Sequence, residues 1–212
     1  MSAPLFDAAF RERLAELFRW RRDVRHFRRD PIADATLVEL VHEAACSPSV
    51  GFSQPWRFVL VRDDTRRRAA IASFERANAD ALRGMSGADA EKYATLKLSG
   101  MREAPVHLAV FCDIETPSGK GLGRATMPET LAYSAVMAIY TFWLAARAQG
   151  IGVGWVSIIE PDVITAALDV PSQWKLIAYL CVGYPEDDHP TPELERTGWE
   201  SRDPRATTLH NR

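Results

Sequence analysis

The chain has 212 residues, of which 47% are hydrophobic and 25% are charged. These shares are ordinary for a globular protein, and the length is sufficient for one sizeable core or two small ones. With 26 basic and 28 acidic residues the formal net charge is −2. A balance of this kind argues against binding of nucleic acid or an anionic membrane over the whole surface, so function is expected from local clusters of residues.

Cysteine and histidine usage gives no sign of a disulfide framework or a metal centre. Cys46, Cys112 and Cys181 are odd in number, far apart and each amid apolar neighbours, which predicts reduced, buried thiols. The histidines are scattered, and no pair of residues has the spacing of metal ligands. No signal core is found at the N-terminus, and no apolar run reaches the roughly 18 residues that cross a bilayer. We therefore expect a cytoplasmic protein without a metal and without a membrane partner.

Apolar spacing and breaker residues predict the elements of the first half of the chain. One helix is expected to end near Trp20, and Asp34 is expected to cap the next. Residues 47–55 are rich in breakers and small hydroxyl side chains, so they are predicted to form a loop. The elements predicted after this loop are a strand, two helices and a second strand: Phe58 to Val61, Asp64 to about Leu82, Asp89 to Arg102, and Val106 to Cys112.

The second half contains a long helix, predicted over residues 129–149, that is apolar on most sides. A helix of this kind lies in a core or at a subunit interface. The glycine-containing segment 115–126 before it fits neither a phosphate loop nor a dinucleotide fingerprint, and is predicted to be a mobile connection. The last regular elements predicted are a strand ending near Ser157, a helix from Pro161 to Leu168 and a strand from Leu176 to Val182.

The chain beyond about residue 185 is polar and rich in proline, and a tail of this type wraps a neighbour or frays. No repeat and no linker divides the sequence. The pattern therefore predicts a single α+β domain over residues 1–212, with a C-terminal extension at about 185–212.

Residues 19–27 place one carboxylate, Asp23, among four arginines. Guanidinium groups bind oxyanions bidentately, so arginines at this spacing suit a phosphate, although a solvated basic helix end has the same composition. A carboxylate beside a phosphate repels it, which favours a chemical role for Asp23. The arginines are expected to favour its ionised form, which suits a base or a proton relay. The alternative is that Asp23 is only the partner of an arginine.

Three separated segments together resemble the FMN-dependent nitroreductase superfamily. Residues 21–27 are similar to its N-terminal phosphate motif, residues 45–56 to its flavin-edge loop, and residues 150–155 with 182–185 to its third conserved region. Their order and spacing across the chain make the combination specific. The resemblance implies a nitroreductase-like α+β fold with a mixed central sheet flanked by helices. It also implies an intertwined homodimer that exchanges terminal segments and holds FMN at two interface sites.

Two positions depart from the usual pattern of that superfamily. Asp23 stands where serine is usual, and Phe52 stands where reductases commonly have asparagine. These departures, with segments 49–56, 155–157 and 193–199, resemble a flavin-fragmenting branch. That branch implies that reduced FMN is consumed as a substrate with molecular oxygen, giving erythrose 4-phosphate and 5,6-dimethylbenzimidazole, the lower ligand of cobalamin. A separate flavin reductase is expected to supply the reduced FMN.

The resemblance also implies roles for individual residues. Asp23 and Ser157 are the candidate catalytic residues, although a strand-end serine also commonly satisfies only the local backbone. The candidates for FMN binding are Arg21, Arg22, Asp23, Val24, Arg25, Pro48, Ser49, Gln54, Lys97, Ser157, Ile158 and Arg196.

Several of these candidates have a simpler reading. The loop residues Pro48, Ser49 and Gln54 are expected to come from the partner subunit, the alternative being an ordinary turn. Lys97 is otherwise a surface lysine. The segment 80–100, hinged by glycines, is the candidate lid over a dry pocket.

Two other functions stay open from the sequence. One is a conventional NAD(P)H-dependent nitro- or quinone reductase that retains FMN as a cofactor. The other is a flavin carrier without catalysis. Serine at position 23 would suit the reductase, whereas the aspartate found there suits proton chemistry.

Overall fold

The structure is a computed structural model that describes residues 4–211. Within these residues the chain forms helices and strands in one continuous α+β arrangement. Their bounds are α1 Ala8–Trp20, α2 Asp34–Ala44, β1 Trp56–Leu60, α3 Asp64–Arg83, α4 Gly87–Thr95, β2 Val106–Asp113, α5 Thr130–Ala148, β3 Gly152–Val156, α6 Pro161–Leu168, β4 Trp174–Gly183 and α7 Glu193–Arg196. Short 3₁₀ turns lie at Val50–Phe52, Ser118–Gly121 and Pro204–Thr207.

The four strands form one sheet in the order β1-β2-β4-β3. All three strand pairings are antiparallel. A parallel contact is present as an isolated bridge between Asp23 and Val153, beside β3. The mixed character predicted for the sheet is therefore limited, within residues 4–211, to this bridge. The bridge attaches the arginine-rich segment to the edge of the sheet.

Helices cover both faces of the sheet. Leu108 and Val110 of β2 pack with α2 and α5, whereas the alternate residues Ala109 and Phe111 belong to a second cluster with α3 and α6. Successive side chains of a strand point to opposite faces, so a strand covered on both faces is apolar throughout. This accounts for the uninterrupted apolar run of β2.

Helix α5 lies centrally, as its composition predicts, and its ends differ by one residue from the predicted range 129–149. It is long and apolar enough to cross a membrane by length and composition alone, but many of its residues are buried inside the protein core. One stripe of α5 stays exposed. Tyr133, Val136, Met137 and Tyr140 have relative exposures of 52%, 41%, 39% and 44%. This apolar stripe is available for a protein neighbour.

The helix predicted to reach Arg102 ends earlier. Helix α4 stops at Thr95, and an irregular segment follows. Two contacts with the arginine-rich segment, residues 19–27, hold this irregular part of the chain. Arg25 Nη1 donates to the Lys97 carbonyl at 3.1 Å. Gly100 packs so closely on Phe27 that a Cβ there would lie 2.4 Å from the Phe27 ring. Residues 96–103 therefore pack against the arginine-rich segment and do not continue α4.

Two smaller predictions are also wrong. Cys46 is exposed, whereas Cys112 and Cys181 are buried as predicted. Asp34 is the first residue of α2 rather than its cap, which is Ala33. Asp34 instead pairs with Arg62, with 2.6 Å between Oδ1 and Nη2.

Gly152 and Gly154 allow the arginine-rich segment to approach β3 closely. The Val24 amide donates to the Val153 carbonyl at 3.0 Å. A Cβ on Gly154 would lie 2.0 Å from the Val24 carbonyl oxygen, and one on Gly152 would lie 2.8 Å from the Val24 side chain. A residue with a Cβ does not fit at Gly154 unless the backbone moves, so glycine is needed here for close approach of two chains.

His107 of β2 is buried in the protein interior, with 1% of its surface exposed. Its Nε2 lies 2.8 Å from the Met101 carbonyl oxygen and its Nδ1 lies 2.9 Å from the Tyr179 hydroxyl. A carbonyl only accepts, so Nε2 carries the proton and Nδ1 accepts from Tyr179. Burial lowers the pKa of His107 to about 4, and the positive charge of Arg67 acts in the same direction.

We expect Gly154→Ala to lower the free energy of unfolding by about 3 kcal/mol, because the added methyl group meets backbone. Gly84→Ala is the matched control. Gly84 has no left-handed backbone, and its added Cβ would make an ordinary contact of 3.4 Å with the Ala81 carbonyl. Urea denaturation measures both variants. Equal stability of the two would show that the close approach at Gly154 is not needed.

His107 also predicts a pH dependence of stability. Between the unfolded pKa of 6.5 and the folded pKa of about 4, the unfolded chain binds a proton that the folded chain excludes. Stability is therefore complete above pH 6.5 and falls as the pH decreases, by about 3 kcal/mol for this group. His107→Gln removes the titration. The variant is expected to lose less stability than the wild-type protein from pH 6.5 to 4 in urea titrations, and parallel losses would contradict the assignment.

Candidate functional site

Asp23 is fixed by two hydrogen bonds at the edge of the sheet. Its Oδ1 accepts from the backbone N–H of Trp155 at 2.8 Å, and its Oδ2 accepts from Arg25 Nε at 3.1 Å. The Trp155 amide is free to donate because β3 has the Asp23 segment, rather than a further strand, on that side. About a third of the carboxylate side chain, 34%, stays exposed. The geometry therefore holds one carboxylate in a fixed direction while leaving it accessible.

Burial raises the pKa of Asp23, although the Trp155 N–H and the charges of Arg25 and Arg21 act in the opposite direction. The arginine neighbours thus favour the ionised form, as predicted, but burial outweighs them in the net direction of the shift. The carboxylate is surrounded by protein on most sides, and loss of hydration penalises the charged form more than the arginines favour it. A carboxyl group of this kind takes up and releases a proton closer to neutral pH than an ordinary aspartate does.

Arg21 and Arg22 are held by aromatic residues of α5. The Arg21 guanidinium lies 5.1 Å from the ring of Trp143 and 6.0 Å from that of Tyr140. The indole N–H of Trp143 donates to the Arg22 carbonyl at 3.1 Å. Cation–π contacts of this type hold an arginine without neutralising its charge. The two arginines are thus positioned by packing and keep their charge for another partner.

The charges of this cluster are incompletely compensated. Within residues 4–211, the Nε atoms of Arg21 and Arg22 are buried without a hydrogen-bond partner. Burial lowers the pKa of Arg22, and the positive charges of Arg21 and Arg202 add to this effect, while Glu195 opposes it. A buried unpaired donor costs free energy, and so does repulsion between cations. An anion bound beside these arginines would offset the repulsion.

A cavity of about 200 Å³ lies in front of these residues, lined by 22–26 and, from the C-terminal extension, by Glu193 and Arg196. Its donors fit a phosphate group, because Arg22, Arg25 and Arg196 converge there and guanidinium binds phosphate bidentately. Small-molecule pockets usually have roughly 300–1,000 Å³. The cavity therefore has room for a phosphate group but not for a whole flavin nucleotide.

The predicted flavin-edge loop lies elsewhere on the chain. The Ser49 hydroxyl accepts from the Gln54 amide at 3.0 Å, and the Val50 amide donates to Ser134 of α5 at 3.0 Å. Ser134 and the arginine-binding Trp143 lie on different faces of α5, at 100° per residue. Pro48, Ser49 and Gln54 are therefore not brought into the arginine cavity within one chain. The exposed stripe of α5 separates the loop from the arginines.

The remaining candidates, Ser157, Ile158 and Lys97, do not line the arginine cavity. Ser157 is exposed directly after β3, two residues beyond the amide that binds Asp23, and Ile158 is half-buried beside it. The Lys97 ammonium pairs with Glu103 at 3.2 Å, so its side chain is not an unpaired cation. Lys97 contacts the site through its backbone carbonyl, which accepts a hydrogen bond from Arg25 Nη1.

Sequence reasoning missed several residues that build the site. The backbone amide of Trp155, the close-approach glycine Gly154 and the indole of Trp143 were not among the candidates. A Gly-x-Gly spacing at a strand signals that another backbone approaches it, and this spacing was visible in the sequence. No comparable signal marks the amide or the indole, since their roles depend on which segments meet in the fold.

Known proteins are similar to this chain in sequence and in fold. A 5,6-dimethylbenzimidazole synthase of Rhodospirillum rubrum is 59% identical over 203 residues, covering 96% of this chain and 96% of the relative. A protein of the same name from Rhodobacter capsulatus is 46% identical, covering 94% of this chain and 96% of its own length. Among solved structures, an iodotyrosine deiodinase bound to FMN and 3-iodo-L-tyrosine superposes with a TM-score of 0.71 at 24% identity, covering 84% and 92% of the two chains.

The deiodinase likeness shows the fold alone, while the identity to the two synthases extends over nearly the whole chain. Residues 18–184 match the sequence profile of the Nitroreductase family, a range that contains the arginine-rich segment, the sheet and all helices from α2 to α6. Fold, sequence profile and relatives agree, and the chain belongs to the Nitroreductase family.

Proposed function

We propose that this enzyme fragments reduced FMN with molecular oxygen to 5,6-dimethylbenzimidazole and erythrose 4-phosphate, which supplies the lower ligand of cobalamin. The observation that carries the proposal is the carboxyl group of Asp23, fixed on the Trp155 amide within a cluster of arginines. The identity of 59% to a relative named for this product supports it. The proposal treats FMN as a substrate rather than a retained cofactor.

Binding of the phosphate end is assigned to Arg22, Arg25 and Arg196, which line the cavity. Arg21 adds positive charge from its place against Trp143. A phosphate in the cavity would offset the repulsion that Arg21 and Arg202 exert on Arg22. The backbone of Val24, fixed on Val153, would lie beside the ribityl chain.

Proton transfer is assigned to Asp23 and Ser157. A bound phosphate would add negative charge beside Asp23 and raise its pKa further, so the carboxyl group would take up a proton more readily beside the ligand. The Trp155 amide keeps Oδ1 in place during the exchange. The Ser157 hydroxyl, at the end of the same strand, would relay protons, and Ile158 would pack against the ligand. Bound reduced FMN supplies the electrons for oxygen and the carbon atoms of the product.

The segment 80–100 is the proposed lid. Helix α4 within it buries a single residue, Tyr93. It begins at Gly87, three residues after Gly84, and Gly87 has a φ of 62° and open space around it. Its C-terminal end is held at Lys97 and Gly100. A lightly packed helix between one free and one fixed end is suited to excluding water from a reacting flavin.

A homodimer completes the site in this proposal. Within one chain the loop residues Pro48, Ser49 and Gln54 and the arginine cavity lie on opposite sides of the exposed stripe of α5. A second copy packed on this stripe would bring its own loop to the flavin ring, which the cavity of about 200 Å³ leaves uncovered. A separate flavin reductase would supply the reduced FMN in the cytoplasm.

The reductase alternative is not favoured. Both relatives described above, at 59% and 46% identity, are named 5,6-dimethylbenzimidazole synthase. The carboxylate at position 23 suits proton transfer, which a simple hydride exchange with a nicotinamide does not need from this position.

The proposal is tested by incubating the protein with reduced FMN in air. Loss of flavin is expected to match formation of 5,6-dimethylbenzimidazole, identified by mass, because the flavin is consumed. The control is the same mixture without protein, in which reduced FMN is only reoxidised. Rapid oxidation of NADPH over many turnovers with a nitroarene and an unaltered flavin would overturn the proposal in favour of a reductase.

Asp23→Asn separates binding from chemistry. The amide is expected to bind FMN at least as well, since a charge near the phosphate is removed, while the yield of benzimidazole falls by roughly 100-fold or more. Ser157→Ala should keep the fold and divert reduced FMN to plain reoxidation. Asp30→Asn is the control, because Asp30 is an exposed carboxylate paired with Arg28 at 2.8 Å. Flavin affinity and product yield are measured on each variant, and a near-normal yield from Asp23→Asn would leave its carboxylate a structural role only.

A further inference from the structure

The C-terminal extension contains a short rigid element, residues 193–200, which we call the strap. It begins with α7 and ends in a helix cap: the Trp199 amide donates to the Leu194 carbonyl at 2.9 Å, and the Gly198 amide donates to the Glu195 carbonyl at 3.1 Å. Gly198 has a φ of 70°. This pair of bonds around a left-handed glycine is the Schellman motif, which fixes the residue after the glycine relative to the helix. Trp199 is thus held rigidly to α7.

One end of the strap lies at the arginine cavity. Glu193 Oε1 lies 3.3 Å from His26 Nε2, in the segment that follows Arg25. Arg196, three residues after Glu193 in α7, lines the cavity together with Arg22. Glu195 also acts on Arg22, raising its pKa against the effect of burial. Any anion bound between Arg22 and Arg196 would therefore contact α7 directly.

The other end lies on helix α4. The Trp199 ring packs edge-on against Tyr93, with 6.1 Å between ring centroids and 61° between planes. Lys92 Nζ donates to the Gly198 carbonyl at 3.3 Å. Tyr93 is the single buried residue of α4 and donates its hydroxyl to Asn78 of α3 at 2.8 Å. The strap therefore covers the one residue through which α4 is anchored in the protein.

We propose that the strap couples occupancy of the arginine cavity to the closed position of α4, with Trp199 as the positioning residue. An anion on Arg22 and Arg196 fixes α7, the rigid cap carries this constraint to Trp199, and Trp199 holds Tyr93 and α4 in place. A ligand shifts a conformational equilibrium only through contacts that differ between the two states, and Arg196 provides such a contact. The role of α4 as a lid rests on the proposed function.

The coupling has a defined chemical consequence. With α4 closed, reduced FMN and oxygen react in a pocket from which water is excluded. When α4 is not held, reduced FMN and oxygen give oxidised FMN and hydrogen peroxide, a balanced two-electron exchange that forms no benzimidazole. The strap would thus determine which of the two products leaves the enzyme.

The test is hydrogen–deuterium exchange of the whole chain with and without oxidised FMN as the probe. In the wild-type protein FMN is expected to slow exchange both in residues 21–25 and in α4. In Trp199→Ala the slowing at 21–25 should persist while that in α4 is lost, and exchange of α4 without FMN should rise by about tenfold, in the range of a lost aromatic pair. Trp199→Phe keeps an aromatic ring and should restore the wild-type pattern.

Gly198→Ala provides a second variant that leaves Trp199 in place. A Cβ there meets nothing within 4 Å, but the left-handed backbone is unfavourable for alanine, so the cap weakens without a clash. It should reduce the slowing of α4 in the same way as Trp199→Ala. If both variants keep full slowing of α4 by FMN, or if FMN slows 21–25 but not α4 in the wild-type protein, the coupling is overturned.

The two proposals are tested separately by these measurements. In Trp199→Ala, the ratio of hydrogen peroxide to benzimidazole formed from reduced FMN should rise, while FMN still slows exchange at residues 21–25. A wild-type protein that forms no benzimidazole would refute the proposed reaction, whereas the exchange pattern of α4 would still decide for or against the strap. An unchanged exchange of ligand-free α4 in Trp199→Ala would also overturn the strap.

Discussion

The site depends on one close approach of two backbones. The arginine-rich segment lies against β3 only because Gly154 has no side chain. A Cβ at Gly154 would be 2.0 Å from the Val24 carbonyl oxygen. This approach places the Trp155 amide 2.8 Å from Asp23 and orients Arg25 toward the same carboxylate. The same stretch then continues into Phe27, whose ring packs on Gly100 and fixes the end of the segment that follows α4. Displacement of this contact would move Arg25, the Asp23 carboxyl group and the segment around Gly100 together.

The electrostatics of the site result from two opposing effects. Arginine neighbours favour an ionised Asp23, but burial opposes it more strongly and raises its pKa. Burial likewise lowers the pKa of Arg22, whose Nε has no partner within the described residues. An anionic ligand bound beside Asp23 and Arg22 would therefore change the pKa of both groups. Such a site is expected for binding and proton transfer rather than for stability, since unpaired buried groups reduce stability.

Helix α5 connects the separate parts of the molecule. Its buried face fills the core, Trp143 positions the arginines, and Ser134 holds the loop of residues 48–54. Its exposed stripe lies between them. The arginine cavity and the loop thus lie on either side of one apolar surface, an arrangement that the proposed homodimer would complete. The strap, formed by residues 193–200, contacts both the arginine cavity and α4.

The sequence alone determined the elements whose signals are local. Periodicity and breakers placed α5 and β4 within a few residues, and the motif at residues 21–27 with its departure at Asp23 indicated the family and its chemistry. Tertiary structure decided what depends on which segments meet. The end of α4 at Thr95 follows from packing on Phe27, the pKa direction of Asp23 follows from burial, and the pairing of Lys97 with Glu103 follows from the turn beyond α4. Local propensity and residue type are properties of the chain, whereas burial and close approach exist only once distant segments share the same space.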